Sequence, residues 1–385
     1  MTPAPAPSAA CDPIDRLRCG PCGPDERFWL SADYLLWAVQ SNGVPPLVVG
    51  DLTGTPRSAV GLPGTLGQQT LFGGTDLNGN LRSGLRVTGG LWLDGQRRWG
   101  LEGDFFFLAT GSDGGTFSSS GSPPLARPFF NVAAGMPDAE LVALPGLLSG
   151  SVAVDARNTF NGGGLFLRRN LCCASDACDP CTVSGYRLDV LAGYRHFALD
   201  DTIQVREDLL TVAPTQVPPG TRLVVTDRFR TENTFDGALL GLAGDVRRGR
   251  WSADFRGGAS FGNLHRALVI DGGTVIAVPG QPATARVGGL LAQPSNIGRY
   301  TSDAFTTVPE VGLNLGCQLT RGLRAHIGYT FIYLPNTWRA GDQIDRVVDP
   351  TQLAGAASPL GRPAATRAST GTAVQGVNFG LMLRY

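Results

Sequence analysis

Two cysteine pairs are the residues whose spacing most suggests chemistry: Cys19-Gly-Pro-Cys22 and Cys178-Asp-Pro-Cys181. Each has the C-x-x-C form of a redox dithiol, and together they make the four-thiol set that binds zinc. Cys11, Cys172 and Cys173 lie near them in sequence, while Cys317 stands apart. Dithiol redox chemistry needs a helix after the motif, but Cys22 runs into Gly23-Pro24 with no βαβ pattern around it. Zinc held by Cys19, Cys22, Cys178 and Cys181 stays open. The preferred reading is disulfide bonding among Cys11, Cys19, Cys22, Cys172, Cys173, Cys178 and Cys181, because eight cysteines favour an oxidising compartment. Their connectivity is not readable from sequence. Cys317 is expected to stay free. No metal and no cofactor is expected.

The three histidines are the other candidates for chemistry: His196, His265 and His326. Asp200 and Asp201 follow His196 closely, but no repeated acid–His pairing or Ser–His arrangement stands out along the chain. The expectation is therefore not an enzyme.

The elements that position these residues are strands. The 385 residues include 53 Gly and 27 Pro, and the formal net charge is zero. All 32 basic residues are Arg. Zero charge with dispersed Arg argues against nucleic acid as a partner. No apolar run reaches the roughly 20 residues of a membrane helix, which leaves a membrane barrel open.

Residues 310–333 show the pattern clearly. Val311, Leu313, Leu315, Cys317 and Leu319 alternate with Glu310, Gly312, Asn314, Gly316 and Gln318. After a turn at Thr320-Arg321-Gly322, Leu323, Ala325, Ile327, Tyr329, Phe331 and Tyr333 alternate with Arg324, His326, Gly328 and Thr330. The same design recurs at 85–107, at 240–261 and from Val152 through the cysteine turn to Tyr194. Phe28–Ala38 and Thr372–Tyr385 supply a first and a last strand. Short turns alternate with long Gly/Pro/Ser-rich segments near 40–80, 111–150, 271–300 and 335–371. This predicts an all-β fold: a transmembrane antiparallel up-and-down β-barrel with short periplasmic turns and long extracellular loops. About ten strands are expected, or twelve if 202–212 and 222–232 are separate spanning strands rather than one long hairpin. The alternative is a soluble sandwich or barrel with the apolar face inward.

Aromatics at strand ends favour the membrane. Trp29, Trp99, Trp251 and Tyr385 are placed at the short-turn interface and Trp37 at the opposite one. The terminal run Asn378-Phe-Gly-Leu-Met-Leu-Arg-Tyr385 resembles the insertion signal of bacterial barrel proteins. Residues 1–26 form a cysteine-bearing periplasmic arm, and 27–385 the barrel. Met1-Thr-Pro-Ala-Pro-Ala-Pro has neither a basic nor an apolar leader segment. Either the protein is not exported or a signal peptide has been removed and Met1 added; eight cysteines favour the second, and the expected location is the bacterial outer membrane.

Several longer stretches carry a more specific resemblance. They include Phe28-Trp-Leu-Ser-Ala-Asp-Tyr-Leu-Leu-Trp37, Trp99-Gly-Leu-Glu-Gly-Asp-Phe-Phe-Phe-Leu108 and Arg127-Pro-Phe-Phe-Asn131. Pro145-Gly-Leu-Leu-Ser-Gly-Ser151, Gly288-Gly-Leu-Leu-Ala-Gln-Pro-Ser-Asn-Ile-Gly-Arg-Tyr300 and Gly341-Asp-Gln-Ile-Asp-Arg-Val-Val348 add to them. Together they resemble the planctomycete outer-membrane family of putative β-barrel porins over residues 27–385. The resemblance implies an outer-membrane barrel and carries over no catalytic residue.

On the polar faces, Arg86, Glu102, Asp104, Arg187, Asp189, Arg195, Asp254, Arg256, Glu310, Arg324 and His326 are pore-lining candidates. They would form either a mixed-charge pore or an ion-pair network that fills the lumen. Eight strands just fill a barrel, and roughly 16–18 leave a channel. Ten strands therefore point to a narrow or loop-plugged porin-like channel for small solutes. The alternative is a structural, cell-envelope or surface-lattice barrel without transport. Outer-membrane lipid is the expected surrounding, and a homo-oligomer or neighbouring envelope proteins are the conceivable partners. The apolar Arg127–Asn131 and Pro294–Tyr300 segments are expected to pack into the mouth.

Overall fold

The computed structural model describes residues 27–175, 184–214, 217–354 and 358–385. Ten strands build the wall: β1 (Phe28–Val39), β2 (Arg82–Trp92), β3 (Trp99–Leu108), β4 (Leu148–Ser175) and β5 (Ser184–Thr211), then β6 (Arg222–Arg248), β7 (Trp251–Ala277), β8 (Gly298–Gln318), β9 (Leu323–Thr337) and β10 (Thr370–Arg384). Each pairs antiparallel with the next. β10 returns to β1, with Leu383 opposite Leu30 and Val374 opposite Val39, so the sheet closes on itself. Closure removes the free edges that an open sheet of this size would expose. Apart from Val212, segments 202–212 and 222–232 belong to the upper halves of β5 and β6, so the count among the described residues is ten.

Alternation sets which side each residue faces. On β8, Val311, Leu313 and Leu315 point outward and are exposed, whereas Glu310 is buried inside. Tyr34, Leu85, Val87, Leu240, Leu242, Ile327 and Phe379 continue this apolar outer surface. An exposed apolar belt around a closed barrel suits lipid and not water.

The strands are unequal. β4 and β5 have 28 residues each, while β3 has 10. A tilted strand needs only about 9–11 residues to cross a bilayer. β4 to β7 therefore rise beyond the belt as a tall curved wall on one side. β8 follows them upward, and its ladder with β9 stops at Glu310. Pro309, which has no N–H to give, is the next residue. Strand Gly111–Ser119 pairs with the upper part of β4, and Thr284–Val287 with that of β7.

The long connections fold inside this wall. Strands Met136–Ala143, Leu125–Asn131, Val48–Gly50 and Gln69–Phe72 form a small sheet, and Val347–Val348 adds to it in parallel. This cap buries Leu47, Val48, Leu125 and Phe129 against Val152, Val154, Ile203, Val205 and Phe229 of the wall. Thus segment 127–131 does enter the mouth. Segment 294–300 packs against the same core through Ile297 and Tyr300, while the preceding Leu290, Leu291 and Ala292 are buried within it.

Candidate functional site

The candidate site is the barrel interior, and it is built in layers. Nearest the short turns, inward residues are charged and paired across the lumen. Arg195 on β5 donates from Nη1 to Asp104 Oδ1 on β3 at 2.7 Å and from Nη2 to Glu310 Oε2 on β8 at 2.7 Å. Glu102 on β3 accepts from Arg168 Nη1 on β4 at 2.8 Å and from Arg256 Nη1 on β7 at 2.7 Å. Asp189 accepts from Arg168 Nε at 2.6 Å and Arg187 Nε at 2.8 Å. Arg324 Nη1 reaches Asp254 at 3.1 Å. Asp33 accepts from Arg86 Nε at 2.9 Å and lies 2.6 Å from His326 Nε2. β3–β7 and β5–β8 are not neighbours in the sheet, so these pairs cross the interior and occupy it. All eleven charged lumen candidates take part. Asp33 and Arg168, which the sequence reading did not single out, are central to the network. Asp33 is a lone charge at inward parity in an apolar run, and Arg168 shares the inward parity of Phe160 and Phe166 on its strand; that parity was the available signal.

Above the charges lies an apolar layer. Leu35, Trp37, Val39, Phe106, Leu108, Phe160, Phe197, Leu199, Phe235, Leu264, Val308, Ile332, Leu334 and Val374 are buried together. They come from nine of the ten strands. β2 contributes Gly84 at this level, and the closeness of Leu108 leaves no room there for a Cβ. The aromatic rings form a chain, Trp37 to Phe106 at 5.3 Å, Phe106 to Phe160 at 5.4 Å, Phe160 to Phe197 at 6.0 Å and Phe197 to Phe235 at 6.1 Å. Such spacings are those of favourable aromatic pairs. Trp37 is therefore a lumen residue and not an interface aromatic. Its odd position on β1 shares the inward face with Ser31 and Asp33. Trp29 has the same parity and also turns inward, 5.0 Å from Trp92 with Arg168 over its ring. Trp99, Trp251 and Tyr385 are exposed at the short-turn end.

A second polar layer closes over the apolar one. Arg339 donates through Nε to Asp201 and through Nη1 to Gln40 O at 2.9 Å. Asn158 Nδ2 donates to Asp201 Oδ1 at 2.5 Å, and Arg82 Nη1 to Asn158 Oδ1 at 2.5 Å. Asn233 holds Trp338 from both sides, accepting its N–H at 2.7 Å and donating to its carbonyl at 2.8 Å. The connection 338–343 is thereby drawn across the mouth. The cap core lies above it.

In that core Arg127, Glu207 and Asp227 are buried together, and the half-buried Glu140 turns its shielded Oε2 toward them. Arg127 donates through Nη1 to Glu207 and through Nη2 to Asp227 Oδ2 at 2.8 Å. Glu140, opposite Arg127 in the cap hairpin, reaches the same cluster. Burial, then the neighbouring Glu207 charge, pushes the Glu140 carboxyl well above its ordinary range.

Each histidine pairs with an aspartate, a repetition not apparent from the sequence. His196 Nδ1 lies 2.8 Å from Asp236 and His265 Nδ1 lies 3.0 Å from Asp303, both on the outward surface. His326 faces the lumen. Asp201, close to His196 in sequence, points to the opposite side of the wall and pairs with Arg339. Among the described residues no group of three His, Cys, Asp or Glu is placed to hold a metal.

Of the cysteines, Cys172 and Cys317 are free thiols. For Cys172 this corrects the expected disulfide. A bulge between Asn170 and Cys172 shifts the register of β4 with β5, so Cys173 is the buried one of the two. Cys173 is not among the free thiols. Cys11, Cys19, Cys22, Cys178 and Cys181 lie outside the described residues.

A family model described as Putative beta barrel porin-7 (BBP7) matches residues 29–385. No curated protein gives a significant match. Among solved structures, the outer membrane protease OmpT from Escherichia coli is similar at 10% identity, with 94% of this chain and 97% of that chain covered and a TM-score of 0.43. The Pseudomonas putida toluene transporter TodX is similar at 9% identity over 94% and 91%, with a TM-score of 0.23. A Pseudomonas aeruginosa FadL homologue is similar at 10% identity over 94% and 90%, also at 0.23. Likenesses this remote carry no argument about activity.

Proposed function

The chain belongs to the Putative beta barrel porin-7 family, and from that premise we propose that it is an outer-membrane barrel sealed at rest, a structural part of the envelope rather than a diffusion channel. The observation that carries this reading is the apolar layer of fourteen side chains from nine strands, packed at full burial across the lumen. A hydrated ion or sugar crossing that layer would lose its hydrogen bonds to water and find none in return. The cross-lumen ion pairs beneath and the Asn233–Trp338 closure above give two further obstacles in series. The tall wall and cap present a folded platform on the long-loop side, which this reading places outside the cell. Catalysis has little support. Two of the three His–Asp pairs are on the outward surface, and the third lies inside the packed network.

A second reading, a channel plugged at rest, is favoured by the cap being made of loops that polar contacts hold in place. Solute efflux from proteoliposomes separates the two. Vesicles carrying the native protein are expected to retain small sugars as protein-free vesicles do. Release proportional to protein content would overturn the sealed reading.

A further inference from the structure

We propose that the cap is latched to the barrel wall by a proton held between Glu140 and Glu207, so that the cap loosens as pH rises. This goes beyond the sealed-barrel reading, because it concerns what holds the cap and not whether solutes pass.

Four structural pieces meet at the latch. Arg127 and Glu140 stand opposite each other on the cap hairpin. Glu207 lies on β5 and Asp227 on β6, where these strands form the tall wall. Asp227 also binds the fourth piece. Its Oδ1 accepts the backbone N–H of Leu291 at 3.0 Å and of Ala292 at 2.8 Å. Gly289 permits that approach, since a Cβ there would fall 2.3 Å from Asp227 Oδ1.

The carboxyls of the cluster outnumber its one cation, and a bound proton removes part of that excess of negative charge. Arg127, Glu207 and Asp227 are shielded from solvent, with side-chain exposures of 1%, 0% and 0%. One guanidinium therefore faces three carboxyls. Glu207 Oε1 takes the Arg127 bond, leaving its Oε2 without a fixed donor, and Glu140 Oε2 also has none. Both oxygens are out of contact with water. Two ionised carboxylates in such a place would repel each other, while one shared proton turns the contact into a hydrogen bond. The charges acting on Glu140 come from Glu207, Arg127 and Asp227, and the first and last of these disfavour its ionisation.

The direction of the pH response follows. Glu140 ordinarily titrates near about 4.3, and in the docked cap it titrates higher. The docked state thus holds a proton that the undocked state has released to solvent. Docking is strongest below the undocked value, weakens as pH rises through the interval between the two, and has lost this contribution above the docked value. Within that interval the undocked fraction grows about tenfold per pH unit for one proton.

Hydrogen exchange of segment 125–143 in the full-length protein tests this, corrected for intrinsic exchange and referenced to β1. Across about pH 5 to 9, protection of 125–143 relative to β1 is expected to fall by up to about tenfold per unit in part of the range. Glu140→Gln should remove the slope, since its amide can donate to Glu207 without titrating. Constant protection in the wild-type protein would overturn the proposal, and so would an unchanged slope in Glu140→Gln. The wild-type series decides by itself if the variant does not fold.

Discussion

Replacing Phe197 by Ala tests whether the apolar layer is a packed core. Phe197 is fully buried. Its ring is stacked on Phe160 at 6.0 Å and 15°, with Phe106 at 6.2 Å, Phe235 at 6.1 Å and the Arg195 guanidinium 4.7 Å from its centroid. Removing the ring loses about 1.5–3 kcal/mol of burial. It also loses aromatic pairing worth roughly 0.5–1.5 kcal/mol per contact, with partial overlap. Because neighbours held on separate strands can collapse only partly, the expected loss is about 3–5 kcal/mol. Urea titration of folding into lipid vesicles measures it. Leu66→Ala is the control: Leu66 is 88% exposed on a cap loop, and the change should stay within about 0.5 kcal/mol. A Phe197→Ala loss below about 1 kcal/mol would refute the packing argument, since such a value belongs to a side chain beside a hydrated space.

Three further outcomes are expected. Arg195→Met leaves Asp104 and Glu310 facing each other without their shared cation, and the same titration should show a loss of about 3–5 kcal/mol. Asn233→Ala unpairs both backbone groups of Trp338; at about 1–3 kcal/mol for each buried group, exchange of the Trp338 amide should rise at least fivefold while β10 is unchanged. Alkylation of the unfolded, unreduced protein should modify Cys172 and Cys317 but not Cys173. Finding Cys173 modified would contradict its placement.

Much of the wall was legible because the period-2 rule acts locally. The alternation at 310–333 identifies two strands and their turn, and the same parity assigns Glu310, Arg324 and His326 to the interior without any knowledge of partners. Partners were not legible. His196 and Asp236 are 40 residues apart, and His326 and Asp33 are 293 apart, joined only by the order in which strands close the ring. The apolar layer was missed for another reason. Phe105-Phe106-Phe107-Leu108 has no alternation because both faces are apolar there, one toward lipid and one toward the layer. Such unbroken runs mark a strand segment buried on both sides. Trp37 lies in a similar run on β1, Tyr34-Leu-Leu-Trp-Ala-Val39, and its position near a strand end led to the interface assignment. The cap eluded the reading because its strands are as short as Val48–Gly50 and sit among Gly and Pro. Its order comes from the wall it packs against rather than from local propensity.

The most direct test of the sealed lumen is single-molecule conductance in a planar lipid bilayer. The purified native protein, inserted and verified as folded, is expected to leave the current at the level of the bare membrane. Uniform, long-lived conductance steps would contradict the account, because no ion path of that permanence can pass a layer in which Trp37, Phe106, Phe160, Phe197 and Phe235 are packed ring to ring.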